Sequence, residues 1–308
     1  MNAKRAGWVF LWMNIAYISA SVLVSLFFPG LSVGALALLS ELSLLIPALC
    51  LLSKARVQIP QQLHLKGIRL STIPMILVYH ICCYPVIIAM NALTTAISDN
   101  TALDITDQFG GESFFAMWLF IGLIGPVVEE FVFRGIILGG FRTTGRIFTP
   151  ILLSALLFAL AHMNINQFSY TICAGIFWGL LVEATGSIIA SMLCHISMNS
   201  ISVILVFMLD DNLEKIDELM GAGAKESAIT YLITGIMFLV ISVFTTMLAM
   251  LMLKVIALNE GRTGCFENIF RKKSRAERFG SLFSVPLIAG ICISAIMMIY
   301  AFVSGLVM

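Results

Sequence analysis

The chain has 308 residues, of which 18 are Lys or Arg and 17 are Asp or Glu, so charged side chains make up only 11%. A soluble domain carries about 25% charged residues and is less apolar than the 60% found here, and the mean hydropathy is +1.01. The net charge of +1 also lacks the basic excess of a nucleic-acid-binding protein. The composition excludes a soluble enzyme, a disordered chain and a nucleic-acid binder, and it indicates a polytopic membrane protein.

Nine apolar segments approach the length of about 20 residues that a membrane-spanning helix needs. In chain order they are residues 8–28, 31–52, 72–97, 114–139, 149–163, 168–184, 187–208, 229–253 and 282–305. We therefore predict an all-α fold, a polytopic transmembrane helical bundle of about eight to nine spans. The fifth and sixth segments are short, which fits helices that are tilted, paired or partly re-entrant.

Charged residues in the connections alternate in sign along the chain. Basic residues precede the first span and follow the second, fourth and eighth spans: Lys4, Arg5, Lys54, Arg56, Lys66, Arg69, Arg142, Arg146, Lys254, Arg262, Arg271, Lys272, Lys273, Arg275 and Arg278. Acidic residues fill the two longer connections on the opposite side: Asp99, Asp104, Asp107, Glu112, Asp210, Asp211, Glu214, Asp217 and Glu218. Because connections rich in Lys and Arg stay in the cytoplasm, we predict a cytoplasmic N-terminus and an outer C-terminus.

The fourth span holds the densest group of ionisable residues, Glu129, Glu130 and Arg134. Such a residue costs about 2.5–3.5 kcal/mol within a membrane. Glu130 and Arg134 are four residues apart, so the spacing predicts an ion pair on one helix face. Glu129 is rotated by about 100° from Glu130 and needs a partner from another helix, a water-filled cavity or a raised pKa. Pro126, one turn earlier, is expected to loosen the helix. The alternative is a membrane-edge cluster solvated by the cytoplasm.

Two of the four histidines lie in spans further along the chain. His162 ends the fifth span, in the pattern Phe158-x-x-x-His162. His195 lies in the seventh span four residues before Asn199, which stacks the imidazole and the amide on one helix face. Such a pair can donate hydrogen bonds to a developing oxyanion. For a single histidine within a span, a structural hydrogen bond between helices is the competing interpretation.

Other polar residues in or near spans receive structural interpretations. Glu41 in the second span and Glu183 at the end of the sixth are expected to make hydrogen bonds between helices. The open alternatives are a place on the substrate path for both and simple solvation for Glu183. His80, in the third span, is interpreted as a packing residue, and His64 receives no role.

The three motifs together resemble a known family. Glu129-Glu130-x-x-x-Arg134, Phe158-x-x-x-His162 and His195-x-x-x-Asn199, in this order and each within an apolar helix, resemble the signature motifs of the CAAX-protease and bacteriocin-processing family of intramembrane endopeptidases. The resemblance covers roughly residues 114–208. It implies a single multi-pass membrane domain over 1–308, with a catalytic core at 114–208 and flanking spans in 1–113 and 209–308.

The resemblance also implies roles for these residues. Glu129 would activate water with the help of His162, and His195 and Asn199 would hold the oxyanion. Glu130 and Arg134 would support the site as an orienting pair. An older view of the family treats the Glu and His residues as zinc ligands. Because the histidines here lie on separate helices and not in a His-Glu-x-x-His motif, we predict no cofactor, with zinc as the alternative.

The leading functional hypothesis is therefore a glutamate-dependent intramembrane endopeptidase in the cell membrane with its site toward the cytoplasm. Its partners would be the lipid bilayer and a membrane-associated peptide or protein substrate, with no nucleic acid. The alternatives are a non-catalytic scaffold or bacteriocin-immunity protein of the same fold and a secondary transporter that uses its carboxylates as ion sites. The sequence does not distinguish prenylated, pheromone and bacteriocin-type substrates.

Overall fold

The computed structural model describes residues 1–54, 63–98, 113–220, 228–270 and 281–307. These residues form helices and no strand, which confirms the all-α prediction. The helices are α1 (Ala3–Phe27), α2 (Val33–Ser53), α3 (Thr72–Thr95), α4 (Phe114–Arg142), α5 (Phe148–Ala161), α6 (Ile165–Thr185), α7 (Ile188–Met220), α8 (Ala228–Asn259), α9 (Cys265–Phe270) and α10 (Val285–Val307).

Eight of the described helices are long and apolar enough to cross a membrane, so the chain is a multi-pass membrane protein. The exception among the nine predicted spans is the fifth, α5, whose 14 residues extend only about 21 Å. It packs against α6, the sixth predicted span, as one arm of a helical hairpin. The prediction of eight to nine spans is thus confirmed, with α5 about a third shorter than a full span.

Two predicted boundaries were wrong. The first helix begins at Ala3 and not at residue 8, because the Asn2 side chain accepts a hydrogen bond from the backbone N–H of Arg5 and caps the helix. The seventh helix continues to Met220, so its acidic residues lie on a helix and not in a loop. Hydropathy alone marks neither feature, since both extensions are polar. The predicted acidic connection over 99–112 and the basic stretch 271–278 lie outside the described residues.

Helix α4 is not a uniform α-helix. Two π-helical segments, Trp118–Ile124 and Phe131–Leu138, enclose the α-helical turn and a half Gly125–Glu130. Pro126 has no N–H group to donate to the preceding turn, so it disturbs the regular hydrogen-bond ladder as the sequence predicts. π-Helical segments of this kind often occur at functional sites. Helix α4 packs against α2, α5 and α7.

The basic connections meet at one end of the bundle. Arg142, at the end of α4, lies 2.5 Å from the Glu183 carboxylate of α6, and Arg262 donates from Nε to the Glu183 backbone carbonyl at 2.8 Å. The chain before α3 joins the same end, where Ile188 N–H donates to the His64 carbonyl at 3.1 Å. The structure therefore gathers the predicted cytoplasmic ends of these helices together. The membrane face that this end meets stays a prediction.

Glu183 is buried, so the interpretation as a simply solvated carboxylate was wrong and the interhelical role is confirmed. We expect Glu183→Gln to lower stability by about 1–3 kcal/mol, because it leaves Arg142 without its anionic partner. Thermal unfolding of the detergent-solubilised protein measures this effect. Glu267→Gln, the same change at an exposed carboxylate of α9, is the control and should unfold like the wild type. Equal unfolding temperatures for Glu183→Gln and the wild type would contradict the prediction.

Candidate active site

The two adjacent glutamates of α4 have different surroundings. Glu130 is fully buried, and its carboxylate lies 3.0 Å from the Arg134 guanidinium one turn away. This confirms the ion pair that the four-residue spacing predicts. The Glu129 side chain remains 18% exposed and points elsewhere on the helix. The interpretation of these residues as a solvated membrane-edge cluster was wrong for Glu130 and Arg134, which are among the most buried residues of the bundle.

Aromatic rings from two helices enclose the Arg134 guanidinium. Its central carbon lies 4.3 Å from the ring centroid of Phe158 on α5 and 5.4 Å from that of Trp178 on α6. Rings at this distance attract a cation through their quadrupole, more strongly in surroundings without water. Gly175, one turn before Trp178, permits the approach, since a Cβ there would lie 3.2 Å from Arg134 Nη2. The packing fixes the guanidinium and, through it, the Glu130 carboxylate.

His195 of α7 connects the two glutamates. Its Nδ1 lies 3.2 Å from the Glu130 Oε1 atom, and its Nε2 lies 3.5 Å from the Glu129 Oε2 atom. The imidazole stacks on Trp178 with a centroid distance of 4.3 Å and an interplanar angle of 29°. A carboxylate at one ring nitrogen and a stacked indole hold the ring in a single orientation. The partner from another helix that Glu129 was expected to need is thus His195.

The Phe158 ring lies between His162 and His195 and contacts both. The His162 ring meets the Phe158 ring edge to face at 4.9 Å, and the same Phe158 ring lies 5.8 Å from His195. His162 Nδ1 donates to the Phe158 backbone carbonyl at 2.9 Å, because a carbonyl oxygen can only accept. In the neutral ring this leaves Nε2 as an acceptor. The predicted help of His162 to Glu129 in activating water stays a prediction.

Asn199, one turn beyond His195, contacts the backbone of α4 and not a side chain. Its Nδ2 donates to the Ile121 carbonyl at 3.0 Å. In the π-helical register this carbonyl would pair with residue 126, but Pro126 has no N–H, and the Gly125 N–H donates to Phe120. Asn199 therefore satisfies a carbonyl that Pro126 leaves free. One of its two amide hydrogens is used in this way, and the other can serve the predicted oxyanion role.

Of the predicted residues, the structure brings Glu129, Glu130, Arg134 and His195 into direct contact. His162, just after α5, meets them only by way of Phe158, and Asn199 binds the backbone of α4. Sequence reasoning missed Trp178 and the approach of Glu41 to α4. Trp178 belongs to an apolar span, where an aromatic residue that faces a site looks like one that faces lipid. For Glu41 the sequence favours a hydrogen bond between helices and leaves a place on the substrate path open, because a charged group within a span often has a function.

The contacts of the same side chains bear on metal binding. Within the part of the chain that the structure describes, no group of three His, Cys, Asp or Glu residues could hold a metal ion. His195 instead directs both ring nitrogens at glutamate carboxylates, and His162 directs Nδ1 at a backbone carbonyl. Because zinc-binding histidines also direct their second ring nitrogen at a carboxylate or a backbone carbonyl, the absence of a cofactor stays a prediction.

Comparison with known proteins gives a family for the motif-bearing part of the chain. Residues 111–201 match the family model described as type II CAAX prenyl endopeptidase Rce1-like. Comparison with curated proteins and with solved structures gives no match. The matched stretch contains all three motifs, from Glu129 to Asn199, and nearly coincides with the region of resemblance at 114–208. Residues 111–201 therefore carry a domain that matches the Rce1-like type II CAAX prenyl endopeptidase family, as the three motifs predict.

Proposed function

We propose that this protein is an intramembrane endopeptidase that uses Glu129 to activate water and hydrolyses a peptide bond in a membrane-associated substrate. The observation that supports the proposal is the difference in burial and ion pairing between the adjacent glutamates. Glu130 is fully buried and forms an ion pair with Arg134, whereas Glu129 is partly exposed and forms no ion pair with Arg134. A general base needs such an accessible carboxylate within reach of the water whose proton it takes.

The neighbouring groups support the remaining steps. His162 has Nε2 as an acceptor for a hydrogen bond from the attacking water, which would orient the water beside Glu129. When both ring nitrogens of His195 carry protons, Nδ1 donates to Glu130 and Nε2 can donate to the oxyanion. The free amide hydrogen of Asn199 is the second donor. Fixed donors of this kind stabilise a developing oxyanion without reorganisation. No covalent intermediate is required, because water itself attacks the carbonyl carbon.

The family description names CAAX prenyl endopeptidases, so a prenylated C-terminal peptide is the first substrate class to test. The experiment uses the full-length protein in liposomes and a farnesylated CAAX peptide with a fluorophore and a quencher on either side of the scissile bond. We expect time-dependent cleavage. Absence of cleavage of this peptide and of its unprenylated counterpart would overturn the proposal and favour the scaffold alternative. We also propose that the site opens toward the cytoplasm; in inside-out vesicles, whose outer surface is the cytoplasmic face, a peptide added outside should be cleaved faster than a peptide sealed inside.

The same assay tests metal independence. We expect 1,10-phenanthroline and EDTA to leave the cleavage rate unchanged, because Glu129 and the two histidines act on water and substrate without a metal ion. Inhibition that zinc reverses would contradict this prediction. As a positive control, the same chelators should inactivate a zinc-dependent protease reconstituted in the same liposomes.

A further inference from the structure

Glu41 of α2 lies outside the stretch that matches the family model, yet it faces the candidate site. Its Oε2 atom is buried and accepts no hydrogen bond from the described residues. The interhelical hydrogen bond that the sequence suggests is therefore not made at this atom. A buried polar atom without a partner costs about 1–3 kcal/mol, and a carboxyl group within a membrane has a further cost. Such a group is a candidate for function.

The approach of Glu41 to α4 depends on Gly125. A Cβ at Gly125 would lie 3.4 Å from the Glu41 Oε1 atom and 3.3 Å from the Phe120 carbonyl oxygen. Gly125–Glu130 is α-helical, so Gly125 and Glu129 lie one turn apart on the same face. Glu41 consequently meets the face of α4 that carries the candidate base. The Glu41 and Glu129 carboxyl groups are close enough to interact electrostatically.

Three polar contacts follow one another along α4. Asn199 binds the carbonyl of Ile121, Glu41 meets the helix at Gly125, and His195 faces Glu129. Successive contacts are four residues apart, or about one helical turn. Glu41 thus enters between the candidate oxyanion donor and the candidate base. In a bound peptide, the carbon under attack and the nitrogen that leaves must both lie along this line.

We propose that Glu41 is the proton donor to the leaving amine in the hydrolysis, an inference that rests on the proposed function of Glu129. The Glu129 carboxylate takes one proton from water as the water oxygen bonds to the carbonyl carbon. When the C–N bond breaks, the Glu41 carboxylic acid gives its proton to the departing nitrogen. Glu129 then passes its proton to the Glu41 carboxylate, which restores both groups. Water and one peptide bond are consumed, and one carboxyl group and one amine are formed.

The surroundings fit a single proton held by these two carboxyl groups. Two carboxylates in one apolar site cannot both ionise cheaply. Arg134 attracts Glu129 only at longer range, because its guanidinium forms its ion pair with Glu130. His195 pairs with Glu129 and Glu130, and among the described residues it forms no ion pair with Glu41. Glu129 is a titratable group that interacts with Glu41, and it can therefore return a proton to Glu41.

The test compares two substrates with the variant Glu41→Gln, whose side chain has the same shape but no acidic proton. The first substrate is the farnesylated CAAX peptide, and the second is its depsipeptide, in which an ester replaces the scissile amide. An amide nitrogen must be protonated to leave, whereas an alkoxide leaves more readily. Since general acid catalysis contributes about 10²–10⁴-fold, we expect Glu41→Gln to slow amide cleavage about 100-fold or more and ester cleavage less than about tenfold.

Three further variants make the result decisive. Ser43→Ala removes a hydroxyl that donates only to the backbone of α2 and should leave both rates unchanged. Glu41→Asp keeps an acidic proton and should recover part of the amide cleavage. Glu129→Gln should lose both activities, because water activation precedes either bond cleavage. A folded Glu41→Gln that cleaves both substrates normally, or that loses both equally, would overturn the role of Glu41. Normal activity of Glu129→Gln would instead overturn the proposed function.

Discussion

The Glu129→Gln variant is expected to insert and fold like the wild type and to lose peptide cleavage. Glutamine keeps the shape of the side chain and its proximity to His195, which is 3.5 Å in the native protein, but it cannot take a proton from water. The loss should reach at least about 10²–10⁴-fold, the contribution typical of a general base. Initial cleavage rates in liposomes, normalised to inserted protein, measure it.

Neutralising Glu129 differs from neutralising Glu130, because the ion pair with Arg134 belongs to Glu130. Glu129 is partly exposed and has no ion pair with Arg134, so its neutralisation should leave the unfolding temperature close to that of the wild type. Glu267→Gln, a neutralised exposed carboxylate on α9, controls for loss of charge elsewhere and should keep full activity. Wild-type cleavage by Glu129→Gln would remove Glu129 from the mechanism, whatever the role of Glu41.

Local spacing predicted the parts of the site that lie within one helix. The pair Glu130–Arg134 follows from a separation of four residues, and the different environment of Glu129 follows from its rotation around the same helix. The long apolar helices follow from hydropathy, because a membrane requires their length. Each of these features depends on helix geometry or on the bilayer, and both are regular.

The contacts between helices could not be predicted in the same way. The oxyanion role of His195 stays a prediction, but its contacts, Nδ1 to Glu130 and Nε2 to Glu129, were not predicted. Which groups face each other depends on how α4 and α7 are rotated, and no spacing within one helix records that rotation. Asn199 is a further case, since its partner is a carbonyl that only the π-helical register and Pro126 leave free.

The contact between Gly125 and α2 could not be predicted from hydropathy. Within an apolar span, a glycine can contribute flexibility, close helix packing or nothing at all. In the structure, Gly125 leaves room for Glu41 of α2. The Glu41 Oε1 atom lies 3.4 Å from the position that a Cβ at Gly125 would occupy. The result is a connection between the flanking helix α2 and the motif-bearing helix α4. The helices outside the family match therefore contribute directly to the surroundings of Glu129.

The Arg134→Ala variant should lose stability as well as activity. The Glu130 side chain is fully buried and that of Arg134 is 1% exposed, so removing the cation leaves a carboxylate inside the bundle without its counter-charge. Breaking a buried pair in this way costs about 3–5 kcal/mol. The packing of the guanidinium on Phe158 is lost at the same time. We expect a lower yield of folded protein and a lower unfolding temperature in detergent, together with little or no cleavage.

A double variant separates the two effects of this pair. Glu130→Leu combined with Arg134→Met replaces both charges by apolar side chains, which is often neutral or stabilising at buried ion pairs. The unfolding temperature should therefore recover toward that of the wild type. Cleavage should not recover, because His195 loses the carboxylate that lies 3.2 Å from its Nδ1 and orients its ring toward Glu129. A double variant that regains stability and activity together would show that Glu130 serves folding alone, whereas an Arg134→Ala protein with wild-type stability would contradict the cost assigned to the unpaired carboxylate.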